Sequence, residues 1–294
     1  MNSAFVTRTG AIKRKASFSF MMHQVAILLY LLKGKKKATK GHGAYLKRFL
    51  NKVVYNEELL NIFRTNQKLP QNYGLYLTER VVEYPWMLSR LSLQSSTILD
   101  AGSTLNFEYL LNHAYLSEKQ VVIYTLSPAG ENRIVRPNVS YIYGDLRQTI
   151  LNNDTFDEIV CISTIEHVGM DNTLLYTKDN VYREKKSNDF ELTIKELKRL
   201  LKPQGKLLLT VPYGRFQDIG WLQQFNNSMV TRLIKIFDGT ACAVTYYKYY
   251  SSGWQWATEE ECADAEYHDP AATKTAALDG AVAARAVACI ELIK

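Results

Sequence analysis

The stretch Thr97–Asn106, which reads TILDAGSTLN, decides the fold of this sequence. An apolar run ends in the acid Asp100, Gly102 follows, and an amphipathic helix comes next. This order is typical of a buried strand that stops at a glycine turn and leads into a helix. Backbone N–H groups at such a turn can surround a ligand at the carboxyl end of the strand. The sequence therefore predicts a ligand site beside Gly102.

Downstream of this stretch, apolar runs alternate with helical patterns. Strands are predicted at residues 121–124, 139–143, 156–163 and 206–211. A helix predicted at 190–201 precedes the last strand, and its acidic first turn and basic last turn suit the helix dipole. This alternation indicates a parallel sheet in a three-layer α/β fold. Two further strands, at 243–250 and 286–293, are predicted to pair antiparallel at one sheet edge.

Other segments show helical periodicity. Helices are predicted at residues 45–63, 75–91, 107–113 and 221–237. Pro85 should kink or restart the second of these, because proline removes a backbone N–H. Residues 202–205 (KPQG) should end the helix at 190–201, ahead of the strand at 206–211. The aromatic cluster of residues 246–256 fits either a half-buried sheet edge or a stacking platform for nucleic acid or sugar.

Positive charge is concentrated at the start of the chain. The 294 residues contain 36 Lys/Arg and 29 Asp/Glu, which gives a formal net charge of +7. Residues 1–56 hold 12 of the Lys/Arg and no acid, so the rest of the chain carries 24 basic and 29 acidic residues. We therefore predict a basic N-terminal arm (1–56), a helical lid (57–96) and a domain that carries the sheet (97–294).

The arm contains the most hydrophobic run of the chain, Val25–Leu32, between two basic clusters. Extended back to Phe20, this run covers 13 residues, fewer than the roughly 20 needed to cross a bilayer. No small-residue cleavage site follows it, as a secretory signal requires. Three interpretations stay open: peripheral contact of residues 13–40 with an anionic membrane surface, an apolar patch packed on the body, or a chain start placed too far upstream.

The cysteines favour a reducing compartment. All four are scattered, without a CxxC pair, so the sequence predicts neither a disulfide framework nor a metal site. We expect a cytoplasmic protein, peripheral at the inner membrane surface if the arm binds lipid. The sequence leaves the oligomeric state open.

Polar residues stand at the carboxyl end of every predicted parallel strand. Read in order, these ends are Asp100–Ser103, Thr125, Asp145, Ser163–His167 and Pro212–Arg215. Ligands of parallel sheets bind beyond such ends. A nucleoside ligand would place its polar tail at the glycine turn, its ribose near Thr125 and its base near Asp145, where a carboxylate can accept from an exocyclic amine.

From residue 75 to residue 293, the sequence resembles class I S-adenosylmethionine-dependent methyltransferases. The matching motifs are Ile98–Ser103, Gly144–Leu146, Phe156–Ser163 followed by Ile165–His167, and Leu200–Leu207 ahead of Val211–Pro212. Glu-His after the fourth strand is typical of the small-molecule branch. Glu83–Trp86 also resembles bacterial members linked to surface-polysaccharide biosynthesis. The resemblance implies a Rossmann-like sheet of about seven strands, mostly parallel with an antiparallel closing strand, and a methyltransferase domain over 97–294.

The resemblance also implies S-adenosylmethionine as the cofactor. The residues it assigns to cofactor binding are Glu83, Tyr84, Asp100, Ala101, Gly102, Ser103, Thr125, Asp145, Leu146, Ser163, Thr164 and Glu166. The sequence departs from the family pattern at Thr104 and Asn106, which stand where further glycines are usual. No acid for the ribose hydroxyls follows the second strand, where Thr125 and Ser127 are found.

His167 is the candidate general base, because its ordinary pKa lies near neutrality. The alternative is that Glu166-His167 caps the fourth strand and packs beneath the cofactor. The acceptor should lie between the loop 169–188 and the segment 213–221, where the candidate contacts are Tyr213, Arg215, Asp218 and Trp221.

Three functions stay open. The first is methyl transfer to oxygen of a small molecule or glycan precursor. The second is a catalytically degenerate binding module with the methyltransferase fold. The third, an RNA methyltransferase that uses the basic arm, is disfavoured because the body is acidic and the fourth strand lacks an Asn/Asp-Pro-Pro-aromatic motif.

Overall fold

The computed structural model of the chain describes residues 22, 24–32, 40–94, 96–128, 133–176, 179–273 and 277–294. Much of the predicted basic arm and of the predicted membrane-contact segment, namely residues 1–21, 23 and 33–39, lies outside the described residues. Within the described ranges, no helix combines the length and the apolar composition needed to cross a membrane.

The central sheet has eight strands. The strands of the described chain are β1 (Thr97–Ala101), β2 (Gln120–Thr125), β3 (Val139–Tyr143), β4 (Phe156–Ile162), β5 (Leu201–Pro212), β6 (Gln217–Asp218), β7 (Gln223–Gln224), β8 (Ala241–Tyr250), β9 (Gly253–Ala257) and β10 (Ala286–Ile293). The sheet order is β3-β2-β1-β4-β5-β10-β8-β9, with β6 and β7 paired separately. The first five strands are parallel, and the last three are antiparallel. The predicted α/β fold is confirmed, with eight strands rather than about seven.

The additional strand is β9, which the sequence pattern did not reveal. Two residues separate it from β8, and Gly253 begins it with a φ of +94°, a conformation that favours glycine. Trp254 is buried, and its Nε1–H donates to the Leu77 carbonyl at 3.0 Å. Its backbone N–H donates to the Tyr73 carbonyl at 2.8 Å. Trp254 therefore belongs to the sheet edge and not to an exposed stacking platform.

Helices cover both faces of the sheet. They are α1 (24–32), α2 (Lys40–Val54), α3 (Glu57–Arg64), α4 (Arg80–Leu88), α5 (Glu108–Leu111), α6 (Phe190–Leu200), α7 (Asn227–Phe237), α8 (Glu259–Cys262) and α9 (Pro270–Thr273). Because side chains alternate along a strand, Ile98 of β1 joins the core beneath α2–α4 and Leu99 joins the core beneath α6 and α7. Helices, sheet and helices form the three predicted layers.

Asparagine caps explain two wrong helix predictions. The helix predicted at 45–63 is two helices, because the Asn56 side chain accepts from the N–H of Leu59 and starts α3. The helix predicted at 221–237 begins only at Asn227, since the preceding asparagine caps α7 in the same way. The residues before that cap form the β6–β7 ribbon.

Pro85 lies inside α4, which is shorter than the helix predicted at 75–91. Proline cannot donate to the carbonyl four residues earlier, that of Val81. The Tyr73 hydroxyl donates to that carbonyl instead, at 2.7 Å. The helix thus continues through the proline without the restart that the sequence offered as one of two outcomes.

The helix α6 ends before residues 202–205, as the sequence predicted, but these residues lie within β5, which begins earlier than the predicted strand. The pairing of β5 with β4 moves from Leu201–Phe156 directly to Lys206–Glu158. The residues in between bulge out of the ladder, and Gln204 has a φ of +64°. The segment that follows the helix is therefore an irregular first part of β5.

An ion pair lies inside the protein at the amino end of the parallel strands. Lys119 Nζ is 2.6 Å from Glu158 Oε2, and the two side chains are 2% and 6% exposed. Lys119 also donates to the Ser96 hydroxyl, and Glu158 accepts from the backbone N–H of Ser92. The pair joins β4 to the segments that precede β1 and β2.

We expect Lys119→Met to lower the free energy of unfolding by about 3–5 kcal/mol, because the Glu158 charge stays buried without its cation. Urea unfolding followed by circular dichroism measures this loss. Lys202→Met is the matched control: it removes the partner of the neighbouring Asp157, but that pair is 41% and 38% exposed, so its loss should stay below about 1 kcal/mol. Equal losses in the two variants would contradict the prediction.

Candidate active site

A cavity of about 330 Å³ opens at the carboxyl ends of β1–β4. The strand order puts these four ends next to one another. Of the predicted site residues, those that line the cavity are Gly102, Ser103, Thr125, Asp145, Leu146, Ser163, Thr164 and His167. Other lining residues were not singled out from the sequence, among them Arg80, Arg147, Tyr176 and Glu184.

The turn after β1 is shaped by Asp100 and Gly102. The buried Asp100 carboxylate accepts from the backbone N–H and the hydroxyl of Thr104, both at 3.0 Å, and from the N–H of Leu105 at 2.7 Å. Thr104 thus turns its hydroxyl towards Asp100, which accounts for a threonine where the family usually has glycine. Gly102 has a φ of +128°, and a Cβ there would lie 2.1 Å from Thr164 Oγ1. Only glycine fits this position.

At the end of β3, Asp145 is held by Arg147. Its carboxylate accepts from the Arg147 backbone N–H at 2.8 Å and from Nη2 at 2.6 Å. Arg147 also pairs with Glu184 at 2.9 Å and Asp189 at 2.6 Å. Burial opposes ionisation of Asp145, but its bonds to the guanidinium prevail and lower its pKa. Asp145, which was predicted to lie near the base of a nucleoside ligand, therefore already has a cationic partner within the chain.

The end of β2 carries hydroxyl groups. Thr125 is buried, and its Oγ1 lies 3.5 Å from the Tyr176 hydroxyl. Ser127 follows it in the cavity wall. This part of the wall thus offers neutral hydroxyls where an acid is usual in the family.

Glu83 is buried behind the wall and holds Arg80 in the wall. One Glu83 oxygen accepts from the hydroxyls of Ser163 and Thr210, both at 2.6 Å. The other accepts from Arg80 Nη1. Arg80 lies one helical turn before Glu83, a spacing that brings the two side chains to one face. This i,i+3 relation to the Glu83 motif is the signal that could have identified Arg80 from the sequence.

His167 is fixed in one tautomer. Its Nδ1 lies 2.9 Å from the Trp221 carbonyl oxygen, and the two rings stack at 5.3 Å. Because a carbonyl only accepts, Nδ1 carries the proton and Nε2 keeps its lone pair. Burial lowers the pKa of His167 to about 4. Burial also raises the pKa of Glu166 well above its ordinary value, so the 3.9 Å contact between the two side chains is not an ion pair at neutral pH.

The other predicted site residues lie elsewhere. Glu83, Tyr84, Asp100, Ala101 and Glu166 are buried behind the cavity wall. Of the predicted acceptor contacts, Trp221 adjoins the cavity through His167.

Tyr213 and Arg215 line a second hollow, together with Phe216, Asn227 and Glu259. The structure therefore does not bring these two predicted acceptor contacts together with His167. In sequence they follow the end of β5, but β5 is the last parallel strand and lies one position beyond β4 in the sheet.

Residues 99–209 match the family model of a methyltransferase domain. The matched segment extends from β1 through most of β5 and includes every strand end that surrounds the cavity. The match supports methyl transfer as the reaction and S-adenosylmethionine as its cofactor. No curated protein matches the chain in sequence.

Solved methyltransferase structures resemble the chain at low identity. A 1,6-didemethyltoxoflavin-N1-methyltransferase from Burkholderia thailandensis is 11% identical, with 68% of this chain and 72% of that chain covered and a TM-score of 0.39. A SAM-dependent methyltransferase from Methanosarcina mazei is 13% identical over 71% and 97%, with a TM-score of 0.40. A phosphoethanolamine N-methyltransferase 2 from Haemonchus contortus is 15% identical over 68% and 45%, with a TM-score of 0.39. Such values carry no information about the substrate of this chain.

We expect His167 to stay neutral at pH 5.5 and to gain its proton only near pH 4, because its buried imidazolium lacks solvation. Because the pKa is lowered, the neutral form of His167 persists at a pH where an exposed histidine is already charged. Proton–carbon NMR of the imidazole Cε1 follows the titration, and the spectrum of His167→Gln assigns the signal. A midpoint at pH 6 or above would contradict the assigned environment.

Proposed function

We propose that this chain transfers a methyl group from S-adenosylmethionine to an oxygen of a small molecule or glycan precursor. The observation that carries the proposal is the sequence of groups around the cavity at the carboxyl ends of β1–β4. Arg80 and the Gly102 turn lie at one end of the cavity, the hydroxyls of Thr125 and Ser127 follow, and the turn that contains Asp145 comes last. The methyltransferase-domain match over the same strands supports this reaction.

The residues present fit the donor part by part. The Gly102 turn, which has no room for a side chain, lets a ligand approach the backbone. Thr125 and Ser127 offer hydroxyls to the ribose, and Gly144–Leu146 flanks the base. Because Arg147 already occupies the Asp145 carboxylate, the exocyclic amine of the base competes with a guanidinium for that carboxylate.

Arg80 suits the carboxylate of the donor's amino-acid tail. It lines the cavity, and its bond to the buried Glu83 fixes the direction of the side chain. A guanidinium has five N–H donors, and this bond uses Nη1. A planar carboxylate is the anion that such a fork binds best.

The donor, when bound, supplies an electrophilic methyl group on a sulfonium. His167 Nε2 would accept the proton of an acceptor hydroxyl, since Nδ1–H is committed to the Trp221 carbonyl. Burial keeps this imidazole neutral and so keeps its lone pair available. An imidazole of such low basicity suits proton transfer that accompanies methyl transfer better than prior formation of an alkoxide.

A binding module that has lost catalysis is the second candidate. The occupied Asp145 and the neutral end of β2 both favour it, because a hydrogen bond to a charged group contributes roughly 1.5–3 kcal/mol against about 1 kcal/mol for a neutral one.

The sequence resemblance of Glu83–Trp86 to surface-polysaccharide enzymes supports a glycan precursor as the acceptor, whereas the acidic body disfavours RNA.

We expect S-adenosylmethionine to bind with measurable heat in titration calorimetry, and Arg80→Met to weaken that binding roughly 10- to 150-fold through loss of a charged hydrogen bond. Arg215→Met is the matched control: this arginine lines the second hollow, so its loss should leave donor affinity unchanged. No heat at millimolar donor would refute the enzyme and leave the binding module.

We expect His167→Gln to keep donor affinity and to lower turnover by about 10²–10⁴-fold, the range of general base catalysis. Release of S-adenosylhomocysteine with a panel of hydroxylated small molecules and activated sugars measures turnover. Unchanged turnover in the variant would remove His167 as the base and leave its packing beneath the donor as its role.

A further inference from the structure

The outward face of α1 is apolar. Residues 25, 29 and 32 of α1 recur at helical spacing, and residue 22 continues this spacing ahead of the helix. The apolar side chains exposed on this segment have exposures of 38–74%. They are Met22, Val25, Leu28, Leu29, Leu31 and Leu32. A surface helix normally turns polar side chains to water. Here only the opposite face, which carries Ile27 and Tyr30, is buried in the protein.

Close packing holds α1 on α2. A Cβ on Gly41 would lie 2.3 Å from the Ala26 carbonyl oxygen and 2.8 Å from Tyr30 Cβ, so the glycine permits the contact. The Tyr30 ring meets the rings of His42 and Tyr45 at 5.7 and 5.6 Å. The exposed leucines are therefore presented by a helix that is part of the fold.

Positive charge borders this apolar face. Lys47, Arg48 and Lys52 are exposed on α2, which carries no acid. Arg48 Nη1 donates to Gln24 Oε1 at 3.3 Å, which places Arg48 beside the start of α1. Lys52 follows Arg48 at i+4, on the same face of α2. The sequence of residues 1–56 is equally one-sided, with 12 Lys/Arg and no Asp or Glu.

We propose that the α1–α2 face, defined by the six exposed residues of the α1 segment and by Lys47, Arg48 and Lys52, docks on an anionic lipid bilayer. Apolar side chains at helical spacing beside basic ones are the features of a helix that lies in the membrane interface. The nine residues of α1 extend over only about 14 Å, so the helix lies along the surface and does not cross it.

Charge excludes the other occupants. A symmetric contact with a second copy would bring two basic faces together, and like charges repel. RNA would bind the lysines but would leave the leucines in water. An anionic bilayer satisfies both parts of the face, because it offers negative headgroups above an apolar layer.

The test is co-sedimentation of the full chain with vesicles. We expect binding to phosphatidylcholine vesicles that contain phosphatidylglycerol and weak binding to phosphatidylcholine alone. Leu29→Asp/Leu32→Asp should lower partitioning on the order of a hundredfold. Lys47→Gln/Lys52→Gln should lower it roughly fivefold per charge, and added salt should have the same direction of effect.

Matched controls carry the same changes elsewhere. Leu93→Asp/Ile150→Asp replaces apolar residues that are 66% and 84% exposed, and Lys195→Gln/Lys235→Gln replaces exposed lysines of α6 and α7. Both controls should bind vesicles like the parent chain, and circular dichroism should show all variants folded. Absence of binding to anionic vesicles overturns the proposal. Equal loss in variants and controls also overturns it, as does RNA binding that depends on the lysines but not on the leucines.

Discussion

The buried carboxylate of Glu83 is the interaction on which the arrangement of the site depends. A charged group without solvent must be paired and hydrogen-bonded. Ser163, Thr210 and Arg80 supply those bonds, and they come from the end of β4, from β5 and from α4 itself. The carboxylate thus fixes α4 to β4, whose end lines the cavity, and to the neighbouring strand β5.

The bonds of Glu83 go to protein groups and hold Arg80, whereas the resemblance assigns Glu83 to cofactor binding. Glu83 lies behind the cavity wall, and Arg80, one helical turn earlier, lines the cavity. The strained backbone of Ser163, with a φ of +41°, is found where its hydroxyl must point back to Glu83. The position and orientation of Ser163 in the cavity wall therefore depend on its bond to Glu83, which lies 80 positions earlier in the chain.

The sequence allowed the parallel strands, their ends and the glycine turn to be predicted, because each follows from a local pattern. The turn at Gly102 requires a positive φ, which favours glycine, and the apolar run before it must be buried in the core. Arg80 and Arg147 were not predicted, although each has an acidic partner nearby in the sequence, Glu83 and Asp145. That Arg80 lines the cavity, and that Arg147 also pairs with Glu184 and Asp189, depends on how distant segments pack together. β9 was also missed: its five residues pair with β8, and Trp254 is held in place by bonds to Tyr73 and Leu77, which are distant in sequence.

The bonds of Trp254 also bear on how the chain folds. They join β9 to residues 177 and more positions earlier, and Gln255 adds a bond to the Leu69 carbonyl. Contacts of such long separation form late, because closing a long loop costs entropy before the contacts reward it. During synthesis, the helices near the start of the chain therefore complete their packing only after the last third of the chain has been made. Until then, the apolar side chains that Trp254 packs against stay exposed.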